Sequence, residues 1–326
     1  MALLEIKELQ IEFGRGPGAL RAVDGVSLTL EAGESLCLVG ESGSGKSVTA
    51  LAIARLLAVP PARYAGGTIR LDGREVMAMS NAELRDIRGG LVSYVFQEPS
   101  ASLNPVFRVG WQIKETLKLH RPHVATDAEV IRLLKLVGIP APEKRIGNYP
   151  HELSGGMQQR VMIAMAIAAS PRLLVADEPT TALDVTIQAQ IIELLQKLKQ
   201  ELKMSILLIT HNLGIVGDIA DRLAVMYAGQ IVEAGPAAKV LGQPLHPYTQ
   251  ALIDSVPALG GGMERLRTIP GTVPQLSALP TGCRFHPRCP ALQPTCSGQP
   301  PRLQPVAADH EVRCPHYGSA MGSRTR

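Results

Sequence analysis

The stretch ESLCLVGESGSGKSVTALAIARLLA (Glu34–Ala58) decides the fold. Residues 34–40 form an apolar run that reads as a buried strand, and residues 47–58 carry apolar side chains at helical spacing. Between them GESGSGKS, Gly40–Ser47, fits G-x-x-x-x-G-K-S/T at every fixed position. A strand, a glycine-rich turn and a helix in this order let backbone N–H groups wrap phosphate oxygens. Gly40, Ser42, Gly43, Gly45 and Val48 are the candidate cradle. Lys46 is placed to neutralise the β and γ phosphates, and Ser47 to offer a hydroxyl to Mg²⁺. A chance glycine turn is the alternative, and the flanking strand and helix argue against it.

Outward from this unit, residues 3–13 and 19–30 alternate as strands do, on either side of the turn-rich GRGPG at 14–18. From about 80 to 170 the pattern is largely helical, clearest at 111–120, 128–138 and 158–170. Strands at 172–177, 205–210 and 222–229 then alternate with helices at 185–202 and about 212–219. Buried strands interleaved with helices predict an α/β fold whose sheet is mainly parallel and covered on both faces. At the end of the first of these strands, LLVADEP supplies two carboxylates. Asp177 is placed to hold Mg²⁺ through water, and Glu178 to act as general base toward an attacking water. An acidic pair at a strand end also reads as a helix cap, a reading weakened by the phosphate loop.

LSGGMQQR (Leu153–Arg160) lies shortly before the acidic strand and resembles the signature of ABC-transporter ATPases. TALD (Thr181–Asp184), Gln97 in YVFQEP and His211 in LLITHN stand in the same family order. The resemblance implies a P-loop ATPase domain over 1–240, with a mainly parallel sheet, an antiparallel β part and a helical subdomain at about 98–165. A small irregular extension, 241–326, follows. It also implies that Gln97 joins the metal and water shell, that His211 contacts the γ-phosphate, and that Asp184 links the halves of a dimer. Ser154, Gly155 and Gly156 would close over ATP held by another subunit, and Met157 departs from the glutamine commonest at its position. Phe13 matches the adenine-stacking position, with a core strand aromatic as the equal alternative.

The 326 residues are 45% hydrophobic and 3% aromatic, with 33 basic and 29 acidic side chains, a formal charge of +4. Ordinary apolar content and low net charge exclude disorder as the main state. The charge is unevenly spread. Residues 261–326 hold eight arginines, no lysine and three acids, net +5, which leaves the first 260 with 25 basic and 26 acidic groups, net −1. So weak a total gives no argument for nucleic acid. Cys37, in the apolar LCLV, reads as a core strand residue. Cys283, Cys289, Cys296 and Cys314 all fall in the proline-rich tail, where regular secondary structure is expected to be sparse.

Their C-x₅-C-x₆-C-x₁₇-C spacing does not match the close pairs of zinc ribbons, and by itself leaves metal binding level with four unrelated thiols. YVFQEPSASLNP and LHPYTQAL (Leu245–Leu252) resemble the subgroup of ABC ATPases serving oligopeptide and dipeptide importers, which includes nickel and glutathione systems. That subgroup often ends in a four-cysteine segment able to hold a 4Fe–4S cluster. Zinc is the other option, with His286 or His316 as substitute ligands. His246 and Tyr248 are assigned no chemistry.

The resemblance further implies ATP and Mg²⁺ as cofactors and a second ATPase subunit, copy or relative, since one phosphate loop and one signature do not complete a site. Two transmembrane permease subunits are the expected partners, with an extracytoplasmic solute-binding protein engaged indirectly. The N-terminus shows no secretory signal, and no apolar stretch approaches the roughly 18–20 residues that cross a bilayer. The expected location is therefore peripheral, at the cytoplasmic face of the membrane. A soluble ABC ATPase of DNA repair or translation is the competing class. The long coiled-coil or zinc insertions and second ATPase half usual there are missing from the sequence.

Overall fold

A computed structural model describes residues 2–181, 183–256 and 268–317. Ala182 of TALD, and residues 257–267 and 318–326 of the extension, lie outside the described residues. The chain forms two compact units, each discontinuous in sequence. One gathers residues 30–34 and 78–209, and the other 2–29, 35–77 and the described part of 210–326.

The second unit begins with β1 (Ala2–Phe13), β2 (Leu20–Glu31), β3 (Ser35–Val39), α1 (Lys46–Ala52), β4 (Ala62–Leu71) and β5 (Arg74–Glu75). Strands β2-β1-β4-β5 make an antiparallel sheet, in which Leu4 and Ile6 stand opposite Leu71 and Ile69. The first unit follows with α2 (Asn81–Ile87), β6 (Val92–Val95), α3 (Pro99–Ser102), α4 (Val109–His120), α5 (Asp127–Leu136), α6 (Pro142–Arg145), α7 (Gly155–Ala168), β7 (Leu173–Asp177), α8 (Val185–Leu202) and β8 (Ser205–Thr210). The chain returns to the second unit with α9 (Val216–Ile219), β9 (Arg222–Tyr227), β10 (Gln230–Pro236), α10 (Ala237–Gly242), α11 (Pro247–Asp254), β11 (Gln304–Ala307) and β12 (His310–Val312).

In the first unit β6, β7 and β8 run parallel, in that order, as the alternation of apolar strands and helices predicts. Helix α7 buries Val161, Met162, Ile163, Ala164, Ala166, Ile167 and Ala168, close to an all-round apolar surface, and α4 and α5 pack on it. In the second unit β3 lies parallel to β9, and all five residues of β3 are buried, Cys37 among them. Strand β9 turns into β10 through Ala228 and Gly229, both at positive φ, a two-residue connection whose twist suits antiparallel strands.

Three departures from the sequence reading have local causes. The helix expected over 47–58 ends at Ala52, ahead of the Val59–Pro60–Pro61 run, which has no place inside a helix. Strand β4, ARYAGGTIRL, carries two central glycines that hide its alternation, and β6 is only four residues long. The tail also contains regular structure: β12 pairs with β10 and β11 with β12, so the extension continues the β9–β10 hairpin.

Candidate functional site

The phosphate loop has the shape its glycines allow. Gly40 has φ 153°, and a Cβ there would sit 2.1 Å from the Met226 carbonyl oxygen. Gly45, at φ 103°, would place one 2.6 Å from the Ala22 carbonyl. Both positions exclude any side chain, because backbone cannot give way as a flexible side chain does. Lys46 is 4% exposed and folds across the loop, donating from Nζ to the carbonyls of Gly40 (2.8 Å) and Glu41 (2.9 Å). Ser42, Gly43 and Ser47 are exposed, and Val48 is half-buried on α1. Phe13, half-buried at the end of β1, stands opposite Ala62 of β4, and His211 is exposed just past β8.

The acidic pair sits where β7 ends. Asp177 is the last paired residue of the strand, opposite Ile209. Glu178 follows at φ 48°, its N–H donating to the Ile209 carbonyl at 2.9 Å. The Glu178 carboxylate accepts from Thr181 Oγ1 (2.9 Å) and from Gln97 Nε2 (3.2 Å). Thr181 and Gln97 thereby orient this carboxylate, an arrangement suited to a group that must take a proton. The structure therefore brings Gln97, Glu178 and Thr181 together, a partnership the spacing of the motifs did not give for Thr181.

The signature residues occupy the start of α7. Ser154 is its N-cap residue and makes no capping bond with its side chain. A Cβ on Gly156 would lie 3.0 Å from Ile187 Cγ2, so α7 meets α8 closely there. Ser154, Gly155, Gly156, Met157, Arg160 and Asp184 line a hollow of about 520 Å³. Asp184 caps α8, its side chain accepting from the Ile187 N–H at 2.9 Å.

Cys283, Cys289, Cys296 and Cys314 line one cavity of about 260 Å³, with His246, His286 and His316 on its wall. All are free thiols. Burial, and then the neighbouring cysteines, push the Cys314 thiol up to about 11, and burial raises Cys283 and Cys289 also. His286 Nδ1 lies 2.9 Å from the Cys283 carbonyl and His316 Nε2 lies 2.7 Å from Thr295 Oγ1. Among the described residues, no three His, Cys, Asp or Glu side chains group as a single metal ion requires. The expectation of a metal or cluster site at these cysteines is thus not supported by their placement, which brings the four thiols to one cavity and no closer grouping.

The extension is tied to the body by buried polar groups. Glu233, fully buried in β10, accepts from the N–H groups of Leu245 and His246 and from His310 Nε2 (2.9 Å). Burial, helped by Arg313, lowers the His246 pKa to about 3, which keeps the ring neutral so that Nδ1 accepts from the Tyr248 N–H. Tyr248, to which the sequence assigned nothing, receives the Glu41 N–H on its hydroxyl at 2.9 Å. A tyrosine just after a proline turn carries no sequence signal for that contact.

Comparison with known proteins gives the family. Residues 23–181 match the family described as ABC transporter, and residues 232–296 match the oligopeptide/dipeptide transporter C-terminal region. The oligopeptide transport ATP-binding protein OppD of Bacillus subtilis is 48% identical over 95% of this chain and 88% of its own length. The dipeptide transport ATP-binding protein DppD of Haemophilus influenzae is 49% identical over 96% of this chain and 95% of its own. Among solved structures, a dimeric ATP-binding cassette in a post-hydrolysis state with ADP and Pi superposes with a TM-score of 0.63 at 26% identity, covering 72% of this chain and 98% of that one.

Proposed function

The chain belongs to the ABC transporter family, in its branch of peptide-import ATP-binding proteins, and we propose that it is the ATP-hydrolysing subunit of a di- or oligopeptide importer. The observation that carries this is near-half identity over almost the whole length, extension included, to proteins named for oligopeptide and dipeptide transport. The extension match over 232–296 is what sets this reading above a DNA-repair or translation ATPase. Nickel and glutathione import fall behind it because these relatives are named for oligopeptide and dipeptide transport. Residues 1–240 are the ATPase domain, with a helical subdomain near 98–165, and 241–326 the importer-type extension.

In this reading Gly40–Val48 cradles the phosphates of ATP, Lys46 neutralises the β and γ phosphates, and Phe13 is the candidate adenine platform. Ser47, Gln97 and Asp177 are the residues that would hold Mg²⁺, which supplies charge neutralisation on the phosphates when bound. Glu178 takes a proton from water as the water oxygen bonds to the γ-phosphorus in line. The bond to the bridging oxygen breaks and ADP leaves with the electron pair. His211 contacts the γ-phosphate. Ser154, Gly155 and Gly156 of one subunit close over the nucleotide of another, with Asp184 at the junction, as the dimeric state of the related cassette supports.

The partners are a second ATPase subunit, two membrane permease subunits and, indirectly, a solute-binding protein, with the chain peripheral at the cytoplasmic face. No helix among the described residues is long and apolar enough to cross a membrane. Purification of the tagged chain from detergent-solubilised membranes tests this reading. Co-purifying integral membrane subunits and peptide-stimulated ATP hydrolysis are expected, whereas recovery with ribosomes or DNA instead would overturn it.

The four extension cysteines, which share one cavity, are read as ligands of a 4Fe–4S cluster on the family resemblance of their segment. Such a cluster supplies a cross-link to a segment with little core of its own. Anaerobically purified protein is expected to absorb near the visible edge and to lose the band in Cys289→Ser. Colourless, iron-free wild-type protein sinks the cluster, and one bound zinc in its place favours the other metal.

A further inference from the structure

Glu41, the second residue of the phosphate loop, has each of its polar groups engaged. Its N–H donates to Tyr248 Oη, and its carbonyl accepts from Lys46 Nζ. Its carboxylate is gripped at both oxygens by Arg288, Nη1 to Oε2 at 2.7 Å and Nη2 to Oε1 at 3.0 Å. Arg288 is fixed in turn. Its Nε donates to the Pro270 carbonyl at 2.8 Å, and its guanidinium lies over the Tyr227 ring, 5.8 Å from the centroid. The side chain is only 4% exposed.

Arg288 directly precedes Cys289, and two other cysteines of the cavity have similar neighbours. Arg284, after Cys283, pairs with Asp24 and donates to the Ala228 carbonyl. Arg313, before Cys314, donates from Nε to the Ile231 carbonyl at 2.7 Å. The hairpin turn that Arg284 holds is itself bonded to the phosphate loop, Gly229 N–H to the Ser44 carbonyl at 2.8 Å. The extension thus reaches the loop directly through Tyr248 and Arg288 and indirectly through this turn, and only the Arg288 contact meets the Glu41 carboxylate.

We propose that Arg288 is a positioning residue for the nucleotide. It fixes Glu41, and with it the carbonyl that holds Lys46, and it neutralises the one carboxylate inside a loop built to receive phosphate. A forked arginine–carboxylate pair sets both direction and charge, which a lysine reproduces only in charge. The proposal rests on the nucleotide reading of Gly40–Ser47. The contact precedes chemistry, so its loss weakens ground state and transition state alike and appears in KM while kcat stands.

The test is ADP affinity and ATP-hydrolysis kinetics of the full chain carrying R288Q, R288K, or R288Q with E41Q. R288Q is expected to raise the ADP Kd and the ATP KM about tenfold, with kcat within about twofold of wild type. Adding E41Q recovers most of that loss, because removing both partners leaves no unpaired carboxylate beside the phosphates. R288K falls between, at about threefold. Wild-type Kd and KM in R288Q, a loss confined to kcat, or no recovery in the double variant overturns the assignment. Should R288Q fail to hold its melting midpoint, R288K alone decides: a raised Kd supports the proposal and a wild-type Kd overturns it. A wild-type chain that binds no ADP overturns the nucleotide reading itself.

Discussion

Glu178→Gln is expected to lower ATP turnover by about 10²- to 10⁴-fold, the range usual for removing a positioned proton acceptor. Nucleotide affinity should stay near wild type, for reasons visible around the side chain. Thr181 Oγ1 and Gln97 Nε2 both donate to the carboxylate, and the amide oxygen of glutamine accepts either bond in the same place. Shape and backbone at φ 48° are kept, and only the basic oxygen is lost. ATP therefore binds and is not consumed, and the ATP-held dimer should accumulate. Phosphate release and gel filtration with Mg²⁺ and ATP read both effects together. Undiminished turnover would remove Glu178 from the base position, and lost turnover without a trapped dimer would break the link between hydrolysis and dimer release.

The phosphate-loop glycines were legible because the backbone around them forces the residue type. Glycine at 40 and 45 is the only residue that fits beside the Met226 and Ala22 carbonyls, so the motif is in effect a record of backbone contacts. The apolar runs at 35–39, 173–177 and 205–210 announced buried strands in the same way. What stayed hidden were pairings between residues far apart in the chain. Arg288 lies 247 positions from Glu41, and nothing local separates it from a solubilising arginine in a basic tail. Strands β11 and β12 were hidden for a related reason: at four and three residues, they hold together by pairing with β10 and with each other and carry no periodicity of their own. Part of the tail's positive charge gains a physical meaning here. Arg284, Arg288 and Arg313 direct it to Asp24, Glu41 and backbone carbonyls of the body, which docks the extension.

Lys46→Ala is expected to act one step earlier than the Glu178 change, on binding. Charge-assisted hydrogen bonds contribute about 1.5–3 kcal/mol each, so losing an ammonium that serves two phosphates predicts ATP affinity lower by about 10²-fold or more. The same ammonium bonds to the carbonyls of Gly40 and Glu41, so its removal also takes a cross-brace out of the loop. ADP, which keeps the β-phosphate, should lose affinity less steeply than ATP, whose γ-phosphate depends on the same charge. Calorimetric titration with each nucleotide separates these effects. Parallel, small losses for both would mean that Lys46 serves the loop alone and that the phosphates take their charge from elsewhere. Lys46→Arg sharpens the distinction. The side chain is 4% exposed, and the larger planar fork does not fit where a compact ammonium reaches two carbonyls 2.8 and 2.9 Å away. Retained positive charge without retained affinity is therefore the expected result, and it would place the requirement in the geometry of the loop as well as in its charge.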